Sequence, residues 1–145
     1  MIEIGRLGPQ DRPRWTELWR RYLEFYETEL PDELYEHTWQ RLMAGREING
    51  LAARTDDRIV GIVHYLYHPS AWTLQPVCYL QDLFTDAQFR GRGTARALIQ
   101  AVADHARQAH SPRLYWLTQS DNDVARALYD KVAKHTGFIR YEYTL

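Results

Sequence analysis

Apolar side chains recur along this chain at two spacings, and the places where one spacing gives way to the other divide it into elements. Residues 2–7 alternate as a short opening strand. From Gln10 to Tyr26 the side chains of Trp15, Leu18, Trp19, Tyr22, Leu23 and Tyr26 share one broad helical face. Pro13 is tolerated only in a first helical turn, which sets the helix start near Asp11. Pro31 opens a second helix that runs to Ala44 and ends at Gly45. Residues 48–56 and 58–67 read as two strands around a tight turn at Asp56 and Asp57. Residues 76–85 form a third, with Pro69 and Pro76 bracketing the loop before it. Ala95, Leu98, Ile99, Val102 and Ala106 then restore the helical period. Residues 113–118 (RLYWLT) are short and aromatic, a strand set off by Pro112. Helical spacing returns over 122–135 through Ala125, Leu128, Tyr129 and Val132, and FIRYEYTL alternates as a last strand. The order β-α-α-β-β-β-α-β-α-β predicts an α/β domain, a mixed sheet with helices on its faces.

Composition narrows the class without changing that picture. The 145 residues, spanning 1–145 with no linker-like tract, make one domain, which buries about two thirds of the surface its unfolded chain exposes. A formal net charge of −1 argues against nucleic-acid binding through whole-domain basicity, though not against a local basic patch. The lone cysteine, Cys78, excludes an intramolecular disulfide. The opening MIEIGRLG has no basic-then-apolar leader and no apolar run reaches membrane-spanning length, so a soluble cytoplasmic protein is the expectation.

Candidate chemistry gathers at FRGRGTARALI, residues 89–99. Gly91 and Gly93 let backbone N–H groups lie against a ligand, just ahead of a helix whose first N–H groups are unpaired and whose dipole favours an anion. A helix end contributes only about 0.3–1 kcal/mol per charge, so several N–H groups must converge for useful affinity. Arg90 and Arg92 can add charge-assisted bonds to phosphate oxygens. The competing reading is a polar turn that caps a surface helix, with both arginines in water. The spacing matches neither a nucleotide P-loop nor the dinucleotide GxGxxG signature, which leaves a phosphate-bearing ligand held by backbone.

Within DLFTDAQFRGRGTARALI, Arg90, Gly93 and Ala95 fill the three positions of an acyl-CoA-binding motif, Arg/Gln-x-x-Gly-x-Gly/Ala. Asn122, Ala125, Leu128, Tyr129, Gly137 and Phe138 supply a second landmark in the expected order. On these residues the chain resembles the GCN5-related N-acetyltransferases. The resemblance implies a mostly antiparallel sheet flanked by helices, acetyl-CoA as co-substrate, and a homodimer. It assigns the amides of Arg92, Gly93, Thr94 and Ala95 to the CoA pyrophosphate, with Arg90 and Gly91 shaping the turn. It gives Leu83, Phe84 and Thr85 to the pantetheine arm, in a gap with RLYWLT on its other side. Asn122 is implied to contact that arm or to order the next loop, and Tyr129 to protonate the departing thiolate and to border the cofactor. The residues DKVAKHT exceed the usual spacing before Gly-Phe, a surplus of about one helical turn that lengthens the last helix.

An amine attacks a thioester only when neutral, and for a lysine-like amine deprotonation at neutral pH costs about 4.5 kcal/mol, so a proton acceptor is wanted. The run YLQDLFT resembles the YLEDhhV segment of polyamine acetyltransferases and nominates Asp82 to bind the acceptor or relay its proton. Gln81 stands at the glutamate position and cannot be a base. A buried carboxylate fixing a loop is the other reading of Asp82. His64 is a secondary base candidate, a possible neighbour of Gln81. His64 and His68 lack a third ligand, so no metal is expected.

From Glu24 to Glu36 there are six carboxylates (Glu24, Glu27, Glu29, Asp32, Glu33, Glu36) and no lysine or arginine, with Tyr22, Tyr26, Tyr35 and Trp39 in or beside the run. Such a rim attracts cations, which places Tyr26 and Glu27 on the acceptor side, unless the run is simply a solvated face. Trp15, Trp19, Trp72 and Trp116 exceed what a small surface needs and suggest a contact between copies. The expected function is acetyl transfer from acetyl-CoA to a primary amine of a small cation or peptide lysine, in a ternary complex, with no metal, nucleic acid or membrane. The alternatives are a non-catalytic acyl-CoA-binding module and a protein-interaction domain.

Overall fold

The structure, a computed structural model, describes residues 1–145. Along the chain run β1 (Glu3–Arg6), α1 (Arg12–Phe25), α2 (Asp32–Ala44), β2 (Asn49–Thr55), β3 (Arg58–His68), β4 (Val77–Thr85), α3 (Thr94–Gln108), β5 (Leu114–Tyr115) and α4 (Asp123–Val132). One sheet takes the strands in the order β1-β2-β3-β4-β5, antiparallel throughout except for the parallel pair β4–β5. The mixed, mostly antiparallel sheet is as expected.

Its two faces carry separate cores. On one, Trp15, Leu18, Trp19 and Leu23 of α1 and Trp39 and Leu42 of α2 close over Ala52, Ile59 and Ile62. On the other, Leu98, Ile99, Val102 and Ala106 of α3 cover Leu51, Ala53, Val60, Val63, Tyr65, Cys78 and Leu80. Each large apolar side chain buried in this way contributes about 1.5–3 kcal/mol. Trp15 and Trp19 are therefore core residues of the single chain, against the expectation that they serve a contact between copies. Only Trp72 among the four is freely exposed, and Trp116 is half-buried.

A residue without a side chain sets how closely α3 approaches the sheet. A Cβ at Gly61 would lie 2.9 Å from Thr94 Cγ2, 3.1 Å from Leu98 Cδ1 and 3.2 Å from the Phe84 carbonyl oxygen. Gly61→Ala should therefore cost about 1–3 kcal/mol of stability, read by urea unfolding, because the start of α3 must move outward. An unchanged unfolding midpoint would show that the contact yields freely.

In β4 the pairing with β3 slips by one residue between His64 and Tyr65: His64 faces Asp82, Tyr65 faces Leu80, and Gln81 is left as a bulge. Cys78 and Leu80 before the bulge belong to the α3 side, and so does Leu83 after it. The extra residue thus turns Asp82 to the α1 face, beside His64.

Three expectations toward the C-terminus are corrected. Of RLYWLT only Leu114 and Tyr115 pair as a strand. Helix α4 stops at Val132, where Ala133 takes extended dihedrals (φ −148°, ψ −175°), so the surplus residues do not lengthen it. The segment 138–145 forms no strand; Phe138, Ile139, Tyr141, Tyr143 and Leu145 are exposed. Alternation supplies the strand pattern, but a strand also needs a partner for its N–H and C=O groups, and none is within the chain.

Candidate active site

The glycine turn after β4 has the open backbone that its sequence suggests. Gly91 (φ +75°) and Gly93 (φ +82°) occupy the left-handed region, and nothing lies within 4 Å of where a Cβ would stand on either. Gly93 caps α3 and its C=O accepts from the Ala97 N–H at 2.9 Å. The N–H groups of Thr94, Ala95 and Arg96 thus precede the first intrahelical bond and have no backbone acceptor. The arginines fold back beside this opening: Arg90 lies 5.9 Å over the Phe84 ring and donates to the Thr85 carbonyl at 3.4 Å, and Arg92 lies 5.2 Å over Phe89.

A residue the sequence did not single out holds the turn in place. Asp86 is buried; its Oδ1 accepts from the Gln88 N–H at 3.1 Å, while Oδ2 accepts from Arg14 of α1 at 2.6 Å. Its own N–H donates to the Val60 carbonyl at 2.8 Å. Burial pushes its carboxyl up, but the Arg14 and Gln88 hydrogen bonds and the charges of Arg14 and Arg21 outweigh this and hold it below the ordinary aspartate range. The available signal was an Asp two residues before an amide it can cap.

Between β4 and β5 a gap opens. The strands pair only at Cys78–Leu114 and Tyr79–Tyr115, so from Leu80 to Thr85 that edge of β4 has no strand partner. Leu83, Phe84 and Thr85 line this stretch half-buried, and Thr85 Oγ1 is buried without a hydrogen-bond partner. Across from them Trp116 packs edge-on to Tyr129, ring centroids 5.4 Å apart. Burial, and after it the neighbouring Tyr26, pushes the Tyr129 phenol up to about 12. Asn122 caps α4: its Oδ1 accepts from the Ala125 N–H at 3.4 Å and its Nδ2 donates to Thr118 Oγ1 at 3.3 Å. The Cys78 thiol is buried in the core and pushed up to about 11.

Beside the gap, Asp82 sits half-buried with one donor on each oxygen. Tyr22 donates its hydroxyl to Oδ1 at 2.9 Å, and His64 Nδ1 lies 3.0 Å from Oδ2. Burial, then the Asp82 charge, raises the Tyr22 phenol, so it remains a donor. His64 is 1% exposed and meets Asp82, not Gln81, across the sheet; Gln81 is exposed on the bulge. Tyr26 stands at the end of α1, 5.0 Å ring to ring from Tyr22, and Glu27 next to it is exposed. All six carboxylates of the acidic run are exposed, and only Glu36 is in an ion pair, with Arg12. His68 belongs to the far end of β3, its Nε2 2.7 Å from the Tyr115 hydroxyl.

A turn with unpaired amides at the end of a strand that parts from its parallel neighbour can take a phosphate-bearing ligand with an extended arm, and comparison with known proteins specifies the class. A family model described as acetyltransferase (GNAT) family matches residues 13–133. The chain belongs to that family and is an acyl-CoA-dependent N-acetyltransferase. It is 32% identical over 144 residues to the D-amino-acid N-acetyltransferase HPA3 of Saccharomyces cerevisiae, covering 97% of this chain and 89% of that one. It is 33% identical over 87 residues to the thialysine N-epsilon-acetyltransferase of Caenorhabditis elegans, across 60% of this chain and 54% of the relative. Its fold superposes on the aminoglycoside N-acetyltransferase AAC(6')-Iy in complex with CoA with a TM-score of 0.86, at 16% identity, over 99% of this chain and 95% of that one. Members of the family use acetyl-CoA, and the open turn amides and the partnerless Thr85 hydroxyl fit such a co-substrate. No helix is long and apolar enough to cross a membrane.

Proposed function

We propose that the protein transfers the acetyl group of acetyl-CoA to the primary amine of a small, positively charged amino compound, directly and within a ternary complex. The observation that carries this is the Asp82 carboxylate, held by Tyr22 and His64 beside the β4–β5 gap. The two named relatives act on a D-amino acid and on thialysine, both free amino compounds.

In this reading the amides from Arg92 to Ala95 receive the pyrophosphate, with Arg90 and Gly91 shaping the turn, and the backbone of Leu83, Phe84 and Thr85 aligns the pantetheine arm in the gap. Asn122 holds the start of α4 so that Tyr129 faces that arm. Glu27 and Tyr26 attract and seat the ammonium group, and Gln81 on the bulge hydrogen-bonds the acceptor. Asp82 takes the proton the amine must lose, directly or through water, before its nitrogen bonds to the acetyl carbon. As the C–S bond breaks, the Tyr129 hydroxyl gives its proton to the sulfur, and the phenolate regains one from solvent. Amide and free thiol are the products.

The test is thiol release from acetyl-CoA in the presence of thialysine, a D-amino acid, 1,3-diaminopropane or a lysine peptide. Release that depends on one of the free amines is expected. Tight acetyl-CoA binding with no turnover of any amine would overturn the proposal.

A homodimer goes with this reading. Exposed Ile139, Tyr141, Tyr143 and Leu145 alternate with Arg140, Glu142 and Thr144, a half-apolar strand that lacks a sheet of its own. Light scattering after size exclusion should give twice the chain mass, and Tyr141→Lys together with Tyr143→Lys should return it to one chain. A single-chain mass for the unaltered protein would remove the dimer.

A further inference from the structure

The polar group most deeply buried near the site is not Asp82 but His64, and its partners fix more than its place. His64 Nε2 lies 3.0 Å from Trp15 Nε1, and both residues are in the core, 1% and 0% exposed. An indole N–H can only donate, so Nε2 must accept. The ring proton is then on Nδ1, which donates to Asp82 Oδ2 at 3.0 Å. Tyr22 donates to the other oxygen at 2.9 Å. A carboxylate held by one donor on each oxygen cannot turn about its own axis without leaving a half-buried donor unpaired. The Asp82 side chain remains 17% exposed, which leaves it open to an amine from outside.

The chain of bonds crosses three elements in a way the local structure dictates. Trp15 and Tyr22 stand two helical turns apart on the same face of α1, so one helix supplies the donor at each end. The β4 bulge places Asp82 opposite His64. The Trp19 ring, 4.9 Å from the imidazole, and Trp39, 5.1 Å from Trp15, close the surroundings with aromatic surface.

We propose that Trp15 and His64 are positioning residues for the reaction: the indole sets the imidazole tautomer, the imidazole sets the plane of the Asp82 carboxylate, and the acceptor amine meets that carboxylate in one orientation. This rests on the reading of Asp82 as the amine-facing carboxylate. Neither residue touches the substrate; each acts through the next.

Trp15→Phe keeps an aromatic ring but removes the N–H, which frees the imidazole to place its proton on either nitrogen. In 15N-histidine-labelled protein, the His64 signals should report the Nδ1–H tautomer in the unaltered chain and a mixture of tautomers in W15F. With thialysine as acceptor, or the D-amino acid where that turns over faster, W15F should lower kcat about tenfold and leave the KM for acetyl-CoA unchanged. His64→Asn, whose amide can still donate to Asp82, should retain more activity than His64→Leu. In an Asp82→Asn background W15F should have no further effect, because the residue through which it acts is gone.

Wild-type turnover by D82N would remove the reading of Asp82 itself. A slow D82N with W15F at the wild-type rate, or with W15F slowing both backgrounds equally, would overturn the positioning role and leave Asp82 standing. So would an Nε2–H tautomer in the unaltered protein, a measurement that needs no activity. Should H64L fail to fold, W15F and H64N decide the matter alone.

Discussion

Tyr129→Phe is expected to lower kcat about 100-fold or more while leaving acetyl-CoA affinity unchanged, the scale on which a positioned general acid contributes. Phenylalanine keeps the edge-on contact with Trp116 and removes only the hydroxyl. The sign of the pH dependence follows from burial. With its phenol pushed up to about 12, Tyr129 carries its proton at every pH from neutral to mildly alkaline. Rate in the unaltered enzyme should rise with pH as the acceptor amine loses its proton, with no decline from Tyr129 until the medium nears its raised value. Y129F should keep that rising limb at a reduced height. A full rate in Y129F across about pH 6 to 10 would take the general-acid role from this tyrosine.

Asp86→Ala should cost about 3 kcal/mol of stability, the low end for removing one partner of a buried ion pair, and weaken acetyl-CoA binding as well. The loss has two parts. Arg14, itself largely buried, would lose the buried one of its two carboxylates and keep Glu17, and the Gln88 N–H would lose its cap, so the approach to the glycine turn would loosen. Urea unfolding reads the first effect and the KM for acetyl-CoA the second. The pH sign is checkable too. Because the folded-state carboxyl is held below its ordinary value, its stabilising contribution is complete above the unfolded pKa, about 3.9, and disappears as pH falls through the lower folded value. D86A should lack this component of acid sensitivity. Equal stability of D86A and the unaltered protein at neutral pH would show the pair to be incidental.

Periodicity made the architecture legible up to α4, because each of those elements buries a face and the buried face writes its period into the chain. Trp15, Leu18, Trp19 and Leu23 show this for α1, and Leu98, Ile99 and Val102 for α3. The glycine turn was legible for a different reason: two glycines with positive φ just before a helix satisfy a backbone requirement that few other residues meet. Asp82 was visible as a carboxylate next to the cofactor strand. Its partners were not. Trp15, Tyr22 and His64 are 67, 60 and 18 positions from it along the chain, and only the sheet register and the seat of α1 bring them together. The C-terminal segment shows the opposite limit. FIRYEYTL has the local pattern of a strand, but pairing is a property of two segments, and the pattern names only one.

The bulge at Gln81 makes the register of β4 a chemical quantity. Leu80 and Asp82 lie two positions apart yet face opposite sides of the sheet, because Gln81 between them pairs with nothing in β3; without it Leu80 would still stand opposite Tyr65 and Asp82 opposite His64, now in a regular ladder. Were Gln81 instead drawn into the ladder, Asp82 would share the face of Leu80 and be driven into the hydrocarbon beneath α3, while Leu83 turned toward the reacting amine. Insertions in the 69–76 loop leave this parity untouched. A single-codon deletion of Gln81 should therefore leave the chain folded with Asp82 beside His64, and weaken the hold on the acceptor through the lost amide and the straightened strand.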